Sequence, residues 1–347
     1  MKNLGPTLAL LSAALFGISP VLTKSVLGEM SPILAAGLLY LGSGLGLLLL
    51  LLIQKKNILK ELRRLSLSHR IKFLGAILSG GILAPLCLVY GIQLASAFEV
   101  SLLLNLESVT TTLIAFLIFH EHVGKQVWIG KILLIIGGLM ITLQPSGDVN
   151  FSTPALLVIL ACVLWGIDNN LTRDIEELSP SILASIKGLS AGLFNIFLAF
   201  FLKQESASAY QILANLGIGS ISYGLSLVLF IRALRLIGSS RTSAYFATGP
   251  FIGMISSLIL LGEQPPSYQW ISAILMFFGV WTLYRETHTH QHTHAPVSHG
   301  HKHVHDVHHQ HNHDGIEGPE PHDHIHSHQT LTHSHTHWPD IHHRHKH

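Results

Sequence analysis

From residue 4 onward the chain is built of long uncharged stretches joined by short polar connections. Uncharged runs span Leu4–Thr23, Met30–Ile53, Phe73–Phe98, Ile132–Gly147, Val149–Ile167, Ser206–Ile231, Thr242–Gly262 and Gln264–Tyr284. Two further runs hold one ionisable residue each: Val100–Phe119 with Glu107, and Leu178–Leu202 with Lys187. A helix needs roughly 20 residues to cross about 30 Å of hydrocarbon, and most of these runs reach that length. Ile132–Gly147 is shorter, but Gln126–Gly130 extends it past Lys131. The pattern predicts an all-α integral membrane protein with ten spans. Buried helices of a soluble protein do not recur at this length without charge. Composition agrees: 12% of residues are charged, against about 25% in a soluble domain.

Charge adds orientation. The segment after span 2 carries Lys55, Lys56, Lys60, Arg63, Arg64, Arg70 and Lys72, and such clusters stay cytoplasmic. With Lys2 inside, the same side collects Lys125, Lys131, Arg173, Arg232, Arg235, Arg241 and Arg285, leaving Lys24 and Lys203 opposite. An even number of spans places both termini in the cytoplasm of a multi-pass protein of the cell (inner) membrane. The first run is longer than a signal-peptide core and is read as a retained helix. Because the basic clusters set topology, nucleic acid is not an expected partner; the lipid bilayer is. Cys87 and Cys162 lie within spans, where they act as small apolar residues.

The two halves of the membrane region repeat each other. LSAALFGISPVLTK (11–24) aligns with LACVLWGIDNNLTR (160–173), and SPILAAGLLYLGSGL (31–45) with SPSILASIKGLSAGL (179–193). EHVGKQVWIGKILLIIG (121–137) aligns with EQPPSYQWISAILMFFG (263–279), matching Glu121 with Glu263. Five spans per half is an odd number, so the second half enters the membrane inverted, the arrangement that underlies alternating access. The predicted organisation is a first five-helix repeat at 4–147, a second at 149–285, and a tail at 286–347.

FGISPVLTK, NLESVTTTLIAFLIFHE with WIGKILLIIGG, and TGPFIGMISSLILLGE with WISAILMFFGV resemble the drug/metabolite transporter superfamily, EamA-like type, over about residues 5–285. The resemblance implies a carrier of small metabolites, such as amino acids or drug-like compounds, driven by an ion gradient or exchange. The chain departs from that pattern at Glu107–Ser108, where the family often has Glu-Pro, and at Leu39, which aligns with Lys187.

Polar residues deep in a span are costly and so mark candidate sites. Glu107, with Asn105 two residues earlier, could bind an amine or a proton, or form a structural hydrogen bond. Asp168, Asn169 and Asn170 sit beside Gly166 in span 6, either lining a path or marking the span end. Lys187 is expected to pair with Glu107 or Asp168, or to receive a substrate carboxylate. The candidate substrate-binding set is therefore Glu107, Asn105, Asp168, Asn169 and Lys187, which suits a zwitterion. Pro20, Pro85 and Pro250 are candidate hinges. The glycines at 42, 44, 46, 188 and 192 are read as helix-packing surfaces. His120, Glu121 and His122 form a short polar cluster in which a metal reading is the weaker one. There is no Ser/His, paired-aspartate or H-E-x-x-H arrangement, so the chain is not read as an enzyme.

Of the 26 histidines, 23 fall in residues 288–347, mostly spaced H-x-H or H-H. Imidazole suits zinc, nickel, cobalt and copper, and near neutral pH most rings have a free lone pair. The candidate metal ligands are His288, His290, His292, His294, His299, His301, His303, His305, His308, His309, His311, His313, His322, His324, His326 and His328. Without apolar periodicity the tail is expected to be disordered. The leading reading is a secondary transporter, an exporter of a small metabolite, with a cytoplasmic metal-binding regulatory tail and no required cofactor. The alternatives are a divalent-metal transporter fed by the tail, and a non-transporting membrane metal buffer or sensor. The oligomeric state stays open, a homodimer included.

Overall fold

In a computed structural model the described residues are 4–121, 123–144, 150–173, 175–204 and 206–284, with four segments of the tail. Residues 1–285 form one compact unit and 286–347 another. The first unit is a ten-helix bundle. Its helices are α1 (Leu4–Leu27), α2 (Pro32–Ile53), α3 (Leu67–Leu94), α4 (Ala97–Phe119), α5 (Lys125–Thr142), α6 (Thr153–Thr172), α7 (Pro180–Phe201), α8 (Ala209–Leu234), α9 (Arg241–Leu260, its first turn beginning at Ser239) and α10 (Ser267–Tyr284). Among the described residues nine are long and apolar enough to cross a membrane, and α10 is apolar as well.

Local chemistry sets the helix ends. Ser31 caps α2, its Oγ accepting from Ile33 N at 3.2 Å, and Pro32 opens the helix. Proline suits the first turn, where its missing N–H would be unpaired anyway. Pro180 likewise opens α7 after Ser179, here without a side-chain cap. Ser66 caps α3 by accepting from His69 N at 3.2 Å. That cap starts α3 at Leu67, six residues before the uncharged run at Phe73, so Arg70 and Lys72 ride on the first turns of the helix. The C-termini repeat too. Lys55 and Lys203 turn left-handed after α2 and α7, and His120 does so after α4 where Gly262 does after α9. His120 thus fills a backbone position that glycine fills in the other half.

The halves join through like helices packed antiparallel. Gly44 lies against Leu189, and Gly192 against Leu41, which are equivalent contacts under the 31/179 alignment. Ser185 Oγ donates to Gly44 O at 3.0 Å, and its mate Gly37 lies against Gly192. On the opposite flank α5 and α10 pair in the same manner. Gly137 O accepts from Ser272 Oγ at 2.7 Å, and the mates Gly130 and Gly279 meet backbone to backbone. Each contact appears twice with the halves exchanged, the mark of an inverted repeat.

The third helix of each half holds a stretch of i→i+5 hydrogen bonding, Ile77–Leu83 in α3 and Gly219–Leu225 in α8. Such bulges cluster at functional sites. Pro20, Pro85 and Pro250 each open a new helical stretch: after the bend at Ile18 in α1, after the α3 bulge, and after the break at Thr248 in α9. A short helix, Ile58–Arg64, lies between α2 and α3, and Glu61 Oε2 accepts from Ser179 N at 2.8 Å. Leu143–Gln144 pairs antiparallel with Asn150–Phe151 between the halves.

In the tail, His288–His294 pairs with Leu331–His337, and Val297–His303 with His322–His328, as antiparallel two-stranded ribbons. The alternation H-x-H has the period of a strand. Ribbons of two strands are marginal by themselves in water. His305, His308, His309, His311 and His313 lie outside the described residues.

The glycine crossings yield a prediction. Gly44→Leu must force α2 off α7, and overpacking of this kind destabilises by about 1–3 kcal/mol. The thermal unfolding midpoint in detergent should fall, while Gly217→Ala, which meets nothing within 4 Å, should leave it unchanged.

Candidate functional site

The candidate residues Glu107, Asp168, Asn169 and Lys187 lie on α4, α6 and α7, with α2 and α3 beside them. α6 runs unbroken to Thr172, so Asp168, Asn169 and Asn170 stand on its last turns. Gly166 does not break it. Its missing side chain lets α4 approach at Thr110 and Thr111, and Thr110 Oγ1 donates to Cys162 O at 2.7 Å. Successive helical residues step by about 100°, so the three polar residues reach different partners.

Asp168 turns inward and is 2% exposed. Its Oδ2 accepts from Lys187 Nζ at 2.5 Å, and Gly80 of α3 leaves the room its carboxylate occupies. Oδ1 has no hydrogen-bond partner among the described residues. Lys187 therefore pairs with Asp168, one of the partners its depth required. Asn170 Nδ2 donates to Thr111 O at 3.1 Å and to Gly166 O at 2.8 Å, stapling α6 to α4.

Asn169 is exposed and faces Glu107. Its Nδ2 donates to Glu107 Oε1 at 3.0 Å and to Thr111 Oγ1 at 3.2 Å. Glu107 and Thr111 are four residues apart and share a helix face. Glu107 is half-buried, and Ser108 beside it is exposed. Asn105 is not brought to this group. It is buried at the turn interrupting α4 and donates to Leu102 O at 3.0 Å.

The sequence reading missed several members. Tyr40 OH donates to Gly80 O at 2.9 Å, and Trp165 Nε1 to Tyr40 OH and Gly80 O, both at 3.1 Å. Gly80 lies in the α3 bulge, where a loosened backbone offers carbonyls to side chains. An aromatic wall continues from there: Tyr40–Tyr223 centroids are 6.1 Å apart, Phe16–Tyr223 5.8 Å and Phe16–Phe246 5.3 Å. Lys131, grouped by its charge with the cytoplasmic basic residues, is 5% exposed and donates to Ser108 O at 2.8 Å. Its repeat mate is Ala273, and a lysine facing an apolar mate was the available signal.

The bundle is closed at one end. The first half of α4 (Ala97–Leu103) packs on the second half of α9 (Gly249–Leu260). There Glu263 accepts Ala97 N on Oε1 and Phe98 N on Oε2, each at 2.8 Å, a charge-assisted clamp on a helix start. At the other end the second half of α4 (Leu106–Phe119) packs on α6 and α5, and the first half of α9 (Ser239–Phe246) on α1 and α8. The reciprocal packing of those two segments has no counterpart of comparable extent among the described residues. Glu121 there engages Arg173 Nη2 at 2.5 Å, and the guanidinium lies 4.7 Å from the Phe119 ring centre. The His120–Glu121 stretch thus serves a cap and an ion pair, and His122 lies outside the described residues.

A model of the EamA-like transporter family matches residues 3–143 and again 152–285. The chain belongs to the EamA-like transporter family. It is a multi-pass membrane protein of the drug/metabolite transporter superfamily, with the family unit present twice. This EamA-like transporter is 28% identical over 300 residues to an uncharacterized transporter of Methanothermobacter thermautotrophicus, covering 82% of this chain and 87% of that one. It is 28% identical over 239 residues to the uncharacterized transporter YetK of Bacillus subtilis, covering 67% and 70%. YyaM of the same bacterium, also an uncharacterized transporter, is 24% identical, covering 81% and 94%. A solved crystal structure overlays 80% of this chain and 95% of its own with a TM-score of 0.59 at 16% identity, a likeness of fold.

The Asp168–Lys187 pair is testable as a unit. Removing one partner of a buried ion pair destabilises by about 3–5 kcal/mol, whereas replacing both is often close to neutral. Asp168→Asn and Lys187→Met should each lower the unfolding midpoint, and the double variant should recover most of the loss. Additive losses in a double-mutant cycle would show that the two do not act together.

Proposed function

We propose that the chain is a secondary transporter that exports a small amine-bearing metabolite by alternating access, with Glu107 as the group that receives the amine or a proton. The observation that carries this reading is the pairing of the charges. Asp168 neutralises Lys187, while Glu107 takes one hydrogen bond from the exposed Asn169. A carboxylate half-buried in a membrane bundle and unmatched by a salt bridge among the described residues suits a cationic ligand. The zwitterion expectation requires Lys187 to leave Asp168; a cation requires no such exchange. The aromatic wall of Tyr40, Tyr223, Phe16 and Phe246 supplies apolar area and π faces for the remainder of the substrate and for its charge.

Export is the direction we propose, and the orientation supports it. With the basic segments cytoplasmic, the Phe119 end of α4 faces the cytoplasm, and the less packed end of the bundle presents Glu107 to cytoplasmic solutes. Substrate taken up there and released opposite is export, with a proton exchanged on the same carboxylate. In this reading the tail holds divalent metal through its H-x-H repeats as a regulator, and the amine is the cargo.

In proteoliposomes, Glu107→Gln should lower counterflow of a labelled organic amine about tenfold or more, the factor given by 1.4 kcal/mol of lost interaction, and should abolish its stimulation by a pH gradient. Wild-type flux with unchanged pH response would remove Glu107 from the site. Deleting residues 288–347 should abolish zinc binding in calorimetry while leaving amine flux in metal-free buffer unchanged. Flux lost together with zinc would favour the metal-transport alternative.

A further inference from the structure

The inverted repeat exchanges two observed contacts. Glu121 is the mate of Glu263, and that alignment, continued upstream without a gap, pairs Ala97 and Phe98 with Ser239 and Ser240, each pair opening a helix. At the closed end Glu263 clamps the amides of Ala97 and Phe98, so the second half of α9 is fastened to the start of α4. At the other end the equivalent target is the start of α9. That helix begins after Gly238, which provides no side-chain cap. The equivalent carboxylate, Glu121, is instead drawn to Arg173. Arg173 in turn is the mate of Lys24, which donates to Ile92 O at 2.9 Å and to Ala95 O at the end of α3, within the field of Glu263 and Glu99. The two ends hold the same parts in two settings: a carboxylate on a helix start where the bundle is closed, and on a cation where it is not.

We infer that Glu121 and Glu263 are alternating latches: in the opposite conformation Glu121 leaves Arg173 and accepts the amides of Ser239 and Ser240, while Glu263 releases Ala97 and Phe98. Each latch closes one end of the substrate path, and Arg173 parks Glu121 while that end is open. A carboxylate on two helix-start amides combines charge-assisted hydrogen bonds with the positive end of the helix, and it is made or broken by rocking the halves without unfolding either helix. These are positioning residues, since neither touches the Glu107 group. The inference rests on the transporter reading only in needing two conformations, and it is tested by distance, whereas transport is tested by flux.

The experiment places cysteines at Val123 and Ser239, leaving Glu121 intact, in a Cys87→Ala, Cys162→Ala background. Cross-linking by a short bismaleimide is measured in native membranes by mass spectrometry. Glu263→Gln weakens the present latch and should raise the ratio of cross-linked to uncross-linked protein about tenfold, the shift one lost charge-assisted hydrogen bond gives a two-state equilibrium. Arg173→Gln frees Glu121 and should also raise it, which keeps the test open if Glu263→Gln does not fold. Glu121→Gln should lower it. An unchanged fraction with Glu121→Gln overturns the proposal, as does a fall or no change with Arg173→Gln. General destabilisation moves all three variants the same way; latches move them in opposite directions.

Discussion

Backbone contact at glycine is what the rest of the bundle depends on. Within a membrane the hydrophobic effect does little to bring helices together, so association relies on close packing and hydrogen bonds. α2 meets α7 through Gly37, Gly44, Gly188 and Gly192, and α5 meets α10 through Gly130, Gly137 and Gly279. Hydroxyls reinforce both crossings, Ser185 on Gly44 O and Ser272 on Gly137 O. These pairs join like helices of opposite halves, so they sit on the pseudo-twofold relation between them. The helices between the two crossings, α1, α4, α6 and α9, need not pack tightly along their whole length. That freedom lets one end close on Glu263 while the other end does not close on Glu121.

Much of this architecture was legible because the bilayer enforces it. A span must be long and uncharged, so the ten runs reveal the ten helices; span ends were less legible, since α3 starts at a serine cap among basic residues that hydropathy assigns to a loop. The repeat was legible in polar matches such as Glu121 with Glu263. Glu107, Asp168, Asn169 and Lys187 stood out because ionisable and amide groups are rare at that depth. Their partners did not stand out, because pairing is decided across helices: whether Lys187 meets Glu107 or Asp168 depends on the rotation of α6 and α7, which no short-range pattern encodes. Tyr40, Trp165 and Thr111 are common in spans and carried no signal. Asn105 carried a false one, since an amide can satisfy its own helix as well as face a path. The histidine tail carries a strand period within a composition typical of disorder, and the two signals conflict.

Scaffold and chemistry differ in symmetry. The framework comes in twos: glycine crossings, left-handed caps at Lys55 and Lys203, bulges in α3 and α8, and carboxylates at residues 121 and 263. The residues proposed to bind substrate come singly. The mate of Glu107 is Gly249, that of Asp168 is Ser19, that of Asn169 is Pro20, and that of Lys187 is Leu39. A carrier needs both properties. Two conformations of nearly equal energy follow when the halves can exchange roles, and that requires paired framework contacts. One ligand bound with its amine on one carboxylate cannot be shared by two equivalent sites, so its partners must occur once. A side chain at position 249 would start against α1, its Cβ 3.1 Å from Ala13 O. α1 would have to yield slightly to admit in one half the group that α4 carries in the other, at a helix contact that Gly17 and Gly166 keep close in both halves.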